Sequence, residues 1–206
     1  MKKTILTAAL LAAMLLTGCT GASSNSTNAG QTPVLSGSPA QDSDPTADAE
    51  SAYYAYLRTF TTLDKSTYKA LFNADEKAAA AKVSAATLGL DEDIYKVYLE
   101  RVNRYDEWVD AYFETLQKSM LNVGSVSSTW KPTIGEKIEV PEATVQALAQ
   151  ETGLNIEEAV RFDMFALKDM NNNGNTSVSG KAAGVVKIDG KWYPSVIFEM
   201  APLPEE

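Results

Sequence analysis

The sequence contains no histidine and only one cysteine among its 206 residues. Without histidine, a Ser-His-Asp or Cys-His nucleophilic site cannot be built in its usual form, and neither can a His-ligated zinc site. With one thiol, an internal disulfide and a thiolate metal cluster are excluded as well. Positive charge is also scarce: 18 Lys and Arg stand against 27 Asp and Glu, for a formal charge of −9. A surface of that sign is repelled by nucleic-acid phosphates and by anionic lipid headgroups, so no nucleic-acid partner is expected.

What is present begins with an address. Met1-Lys2-Lys3 is a short positive segment, and Thr4 to Leu16 is apolar and uncharged. That run is shorter than the roughly twenty residues of a membrane-spanning helix, and it suits the core of a signal peptide. It ends in Leu16-Thr17-Gly18-Cys19, which resembles the lipobox of bacterial lipoproteins. The resemblance implies removal of residues 1–18, a diacylglycerol on the Cys19 thiol, and a lipid-anchored, extracytoplasmic place in the bacterial cell envelope. Loss of Lys2 and Lys3 would take the side-chain charge from −9 to −11.

Residues 19–50 continue as a tether. After Cys19 the stretch has no aromatic residue and no Lys or Arg, and is rich in Ser, Thr, Asn, Gly and Pro. It cannot bury enough apolar surface to offset the entropy of ordering, so it reads as a disordered spacer. Every aromatic residue of the chain follows it, and residues 51–206 form one domain of comfortable size.

The first half of that domain reads as helical. Tyr53, Leu57, Phe60 and Leu63 gather on one face, and Thr67 to Phe72 adds a further turn or two. Asp75 is a candidate cap for an Ala-rich helix ending at Gly89. Asp91 opens a long helix to about Val123, with Tyr95, Tyr98, Val102, Tyr105, Val109, Tyr112 and Leu116 in steps of three and four. Glu92/Lys96, Glu100/Arg104 and Glu114/Lys118 are i,i+4 pairs in the favourable order. The seam also suits a coiled-coil homodimer. Tyrosine is a poor seam residue, however, and Trp108, Ala111 and Phe113 widen the face, which fits a helix on a sheet better.

The second half reads as strands: Val123–Trp130, Ile134–Val140, Ala159–Lys168, Thr176–Ile188 and Lys191–Met200. A helix from Glu142 to Glu151, ending at Gly153, interrupts them. Asp189-Gly190 is a two-residue hairpin signal. Helices followed by an antiparallel meander make an α+β fold, with the N-terminal helices packed on a curved antiparallel sheet.

The aromatic-spaced opening helix, the segment Thr62 to Phe72, and the terminal hairpin Val186 to Tyr193 resemble the nuclear-transport-factor-two-like superfamily. The resemblance implies a cone, its sheet wrapped around helices, often with a pocket. Enzymatic members often use an Asp with a Tyr, or an Asp-His pair. Here no spacing picks out an Asp–Tyr pair.

Other candidate sites are few. Asp106 and Asp110 could share a site on the long helix, or sit solvated beside Arg104. Asp169, Asn171 and Asn173 begin a calcium-loop pattern, but its twelfth position is Gly180 where a bidentate Glu is needed, so an Asn/Gly turn, which needs no ion, is the better reading. Ala149 to Val160 mimics a helix-turn-helix, yet carries Glu157 and Glu158 where phosphate contact needs cations. Asn155 and Glu158 read instead as a local cap. Trp108, Tyr112, Trp130 and Trp192 are candidate pocket aromatics, or simply core. No cofactor and no catalytic constellation is expected. The functional reading is a tethered, non-catalytic ligand-binding or protein-interaction module, with a His-free Asp/Tyr enzyme as the alternative.

Overall fold

The structure, a computed structural model, describes residues 44–122, 130–169, 176–181 and 184–201. The signal segment, Cys19 and most of the tether lie outside the described residues. The α+β class holds: eight described helices precede and frame two antiparallel sheets.

Helix α1, Ala49–Thr62, starts two residues inside the stretch read as tether. Asp48 accepts from the Ser51 N–H at 2.7 Å, filling one of the orphan donors of the first turn. Tyr53, Leu57 and Phe60 are fully buried as the spacing predicts, and Tyr54 and Ala52 join them, so α1 is a central helix. It packs against strands of both sheets. Helix α2, Lys65–Leu71, is capped by Asp64. The Ala-rich stretch is not one helix. Asn73, rather than Asp75, caps α3 (Ala74–Ala79), a 3-10 turn follows over Ala80–Lys82, and Ser84 opens α4 (Ala85–Leu88). Gly89 ends α4 at φ +66°, a conformation glycine adopts without a Cβ penalty.

The long helix from Asp91 is two. Helix α5 is Glu92–Asn103, capped by Asp91, and α6 is Tyr105–Asn122. Arg104 breaks them at φ −120°, ψ 32°. No Gly or Pro marks the break. It lets α5 face the C-terminal helix and the 3-10 turn while α6 faces α2. Tyr98, Tyr105, Val109 and Leu116 of the seam are buried within the chain, so those positions serve its own core.

The described residues hold seven strands. They are β1 (Trp130–Ile134), β2 (Lys137–Glu139), β3 (Ile156–Phe162), β4 (Met164–Asp169), β5 (Thr176–Lys181), β6 (Gly184–Ile188) and β7 (Lys191–Pro194). Between β2 and β3 lies α7, Glu142–Thr152, ending at Gly153 as expected. One sheet runs β1-β4-β5 and the other β2-β3-β6-β7. The single strands expected over 159–168 and 176–188 are therefore each divided between two sheets. The register explains how. Ile134 faces Phe165 and Lys137 faces Phe162, while Met164 faces Lys181 and Arg161 faces Gly184. Neighbouring strands thus change sheet at the same level, and the two sheets are the halves of one sharply bent meander. At the bend, Asp163 Oδ1 accepts from the Glu136 N–H at 2.8 Å, and the Asp163 N–H donates to Glu136 O at 3.0 Å.

The Asp189-Gly190 turn forms as predicted, with φ of 49° and 77°. The expected last strand stops early, at Pro194. Ser195 accepts from the Phe198 N–H and starts α8, Val196–Met200, a short helix with Val196, Ile197 and Met200 fully buried. Gly184 makes room for it. A Cβ there would lie 2.7 Å from the Phe198 ring and 2.9 Å from Val160 O, a backbone atom that cannot step aside. Gly184→Val is expected to lower unfolding free energy by about 1–3 kcal/mol through overpacking. The measurement is the urea midpoint; an unchanged one would show that α8 is not seated there.

Candidate functional site

Among the described residues two side chains, Glu76 and Glu199, carry their carboxylates out of water, and the sequence flagged neither. Glu76, in α3, is fully buried. Its Oε1 accepts from the Ser195 hydroxyl at 2.6 Å and the Ile197 N–H at 3.2 Å, and its Oε2 accepts from the Val196 N–H at 3.0 Å. A side chain from α3 therefore satisfies the first turn of α8, as Glu151 of α7 does for the Ser84 N–H and hydroxyl at the start of α4. Burial raises the Glu76 pKa to about 7, although its hydrogen bonds pull the other way.

Glu199, in α8, points its carboxylate into the aromatic core. Its Oε1 accepts from the Tyr56 hydroxyl at 2.9 Å and from the Tyr68 hydroxyl. Its Oε2 is buried with no hydrogen-bond partner. Burial is again the main cause of a pKa raised to about 7, opposed by the two tyrosines and reinforced by the Glu76 charge. Burial, then the Glu199 charge, holds Tyr56 and Tyr68 well above the ordinary tyrosine value. The rings around them interlock: Phe60, Phe72 and Phe113 each lie 5–6 Å from Tyr68, the last two edge to face, and Phe60 lies 5.8 Å from Phe113.

A groove of about 340 Å³ lies on another side of the domain. It runs between α4, the β2–α7 junction and α8, with Leu88, Ile138, Val140, Pro141 and Phe198 as its apolar wall. Arg161 of β3 stands beside it. The Arg161 guanidinium lies 5.2 Å from the centroid of the Phe198 ring. Its Nη2 is buried and has no hydrogen-bond partner. Burial pushes the Arg161 pKa down, with no carboxylate offsetting it. An unsatisfied buried polar group costs roughly 1–3 kcal/mol, and more when charged.

The expected candidates are placed as follows. Trp130 and Trp192 are buried in the core, at 4 % and 7 % exposure, while Trp108 and Tyr112 are half-buried and stacked 5.2 Å apart. None of the four lines the groove. Asp106 and Asp110 lie on the surface and share Lys69, at 3.3 and 3.2 Å, with Lys77 also on Asp106 and Lys65 on Asp110; burial raises the Asp106 pKa but the lysine hydrogen bonds outweigh it, and they lower that of Asp110 as well. Asn155 does not cap a helix. It lies just before β3 and donates to Asp189 at 3.1 Å, while Glu158 pairs with Lys187 at 2.7 Å. The helix-turn-helix mimic is thus a helix and a strand. Asn171 and Asn173 lie outside the described residues, and the strands flanking them pair Asp169 with Thr176. Among the described residues no group of three or more acidic or thiol side chains could hold a metal, and no helix is long and apolar enough to cross a membrane.

The signals for the missed residues were weak. Glu76 sits among charges in Asp75-Glu76-Lys77 and looks like surface. Glu199 was more legible, as the lone charge in Val196 to Ala201. Arg161 alternates with buried Val160 and Phe162, a strand pattern that by itself places an arginine on the other face. No family model matches this chain, and neither does any curated protein or solved structure.

Proposed function

We propose that this chain is a bacterial lipoprotein, anchored through Cys19 after loss of residues 1–18, whose α+β domain is a non-catalytic binding module. The lipobox and the spacer support the address. One observation favours binding over chemistry: the desolvated carboxylates of Glu76 and Glu199 lie in packed core, and neither lines the groove. A general acid or base must come within hydrogen-bond reach of the substrate proton it handles. The groove offers an apolar wall and an unsatisfied cation in place of such a group. The nuclear-transport-factor-two-like cone is the fold we infer, supported by α1 packed against strands of both halves of the bent meander and by the closing Asp-Gly hairpin.

The alternative is a His-free enzyme, with Glu199, Tyr56 and Tyr68 as its proton-transfer group in place of an Asp–Tyr pair. Its attraction is the unpartnered Oε2 and a pKa of about 7. It would require the aromatic core to open.

Mass spectrometry of the natively produced protein tests the address. A mature N-terminus at Cys19 carrying a thioether-linked diacylglycerol is expected, and Cys19→Ser should release the protein from membrane fractions. A retained Met1, or an unmodified thiol on a protein free of membrane, rejects this reading.

A further inference from the structure

We propose that α8 is a pH-gated plug: it undocks as a unit from an otherwise folded domain, more often as pH rises, and so opens the floor of the groove. The proposal goes beyond the binding-module reading and does not depend on it. Helix α8 stands between two spaces. Phe198 and Ala201 line the groove, while Glu199 between them reaches Tyr56 and Tyr68 in the aromatic core. The helix belongs to neither sheet, so it can leave without breaking a strand pair. Among the described residues, no backbone–backbone hydrogen bond ties 196–201 to another element.

Its fastenings are side chains, and the domain's buried charged groups converge on it. At its start, Glu76 of α3 accepts from the Ser195 hydroxyl and the Val196 and Ile197 N–H groups. At its end, Arg101 of α5 donates to Met200 O at 3.4 Å. In between, Glu199 Oε2 has no partner, and neither has Nη2 of Arg161, whose guanidinium lies over the Phe198 ring. Tyr105 and Tyr112 of α6 also face Glu199, and Tyr98 of α5 faces Glu76; burial raises all three tyrosine pKa values, so these groups stay neutral. Glu139 of β2, on the groove side, is exposed. Among the described residues, no Lys or Arg forms an ion pair with Glu76 or Glu199.

Docked, both carboxyls are held as acids by burial, with pKa values raised to about 7 from the ordinary 4.5 they would regain in water. Below pH 4.5 docked and released helix hold the same protons, and the buried side chains of Val196, Ile197, Phe198 and Met200 keep α8 seated. As pH rises towards 7 the released form gives up protons that the docked form keeps, so release becomes more favourable. Between pH 5 and pH 8 the released population should grow by up to about 100-fold for each carboxyl. Release also gives water to Glu199 Oε2 and Arg161 Nη2, which are unsatisfied in the docked form.

The test is amide hydrogen exchange of the full chain at pH 5 and pH 8 in sub-denaturing urea, each rate divided by the intrinsic rate at that pH. The Ile197, Phe198 and Glu199 amides should be at least about tenfold less protected than those of β6, which is paired on both sides. Urea should barely change their opening, because a local release exposes little surface. That opening should grow by up to about 100-fold per carboxyl between the two pH values, and Glu199→Gln, which stays neutral, should remove one such factor. Equal protection and equal urea dependence for α8 and β6 would mean that α8 leaves only when the whole domain unfolds, and overturns the proposal. So does a local opening of the same extent at pH 5 and pH 8, or an identical rise in wild type and folded Glu199→Gln. The comparison of α8 with β6 uses the wild type alone, so it decides even if the variant fails to fold. None of these outcomes bears on lipidation at Cys19, so failure here and failure of the address are separable.

Discussion

Replacing Glu76 by alanine is expected to destabilise the domain by about 3–5 kcal/mol at pH 5, the sum of lost hydrogen bonds and a core cavity. The reason is local. The Ser195 hydroxyl and the Val196 and Ile197 N–H groups all donate to this one carboxyl, and Ser195 and residues 196 and 197 are buried. Without Glu76 the three donors have neither water nor acceptor. Helix α8 has only five residues and cannot form by propensity alone, so its start depends on that acceptor. Glu76→Gln keeps one oxygen for Ser195 and Ile197 but presents an amide nitrogen to Val196, so it should cost less, roughly 1–2 kcal/mol. Urea unfolding at pH 5 measures both. A loss below about 0.5 kcal/mol for the alanine variant, within the range of an ordinary surface change, would show that α8 does not depend on Glu76. The total stability of such domains is typically about 5–15 kcal/mol, so the predicted loss is a large share.

The second large effect is on pH. Glu76 and Glu199 each have a folded pKa of about 7 against an ordinary value of 4.5. Below pH 4.5 both folded and unfolded chains hold these protons, and no free energy is lost. Between 4.5 and 7 the unfolded chain releases protons that the folded chain keeps, so stability falls as pH rises. Above pH 7 the loss is complete, of the order of 3 kcal/mol for each group. The two are coupled through their charges. The domain should therefore be more stable at pH 5 than at pH 8 by about 3–6 kcal/mol. At lower pH the trend reverses, because Asp106, Asp110 and Glu151 have depressed values and lose their contribution on protonation. Glu199→Gln stays neutral and still accepts from Tyr56 and Tyr68. It should flatten the slope between pH 5 and 8 and raise stability at pH 8. Equal urea midpoints for the wild type at pH 5 and pH 8 would sink this reading.

Both effects concern residues that local pattern did not reveal, whereas several capping residues were plain. Asp91 opening a helix, Gly89 and Gly153 closing them, and Asp189-Gly190 turning a hairpin are all where the sequence placed them. Each acts within a few residues of itself, so neighbouring positions carry the whole signal. Errors arose where a distant partner outweighed local preference. Arg104 breaks an uninterrupted helical pattern because α5 and α6 pack on different elements. Val196 to Met200 alternate too little to be a strand and become a helix because Ser195 and Glu76 supply its cap. The four candidate aromatics divide between packed core and a half-buried stack, since ring burial is decided by which surfaces meet.

The sequence by itself determined the class of fold, the helix boundaries at Asp91, Gly89 and Gly153, and the hairpin, while its lipobox-like start supports the proposed address. It also ruled out histidine and disulfide chemistry by composition. Tertiary structure alone decided which charges leave water. Glu76 meets Ser195 across 119 positions, and Tyr56 meets Glu199 across 143. Such meetings depend on how the bent meander and α8 close over the helices, and a charged residue looks the same in sequence whether water or a tyrosine hydroxyl surrounds it. For Arg161 the deciding neighbour is Phe198, brought close by an absent side chain at Gly184.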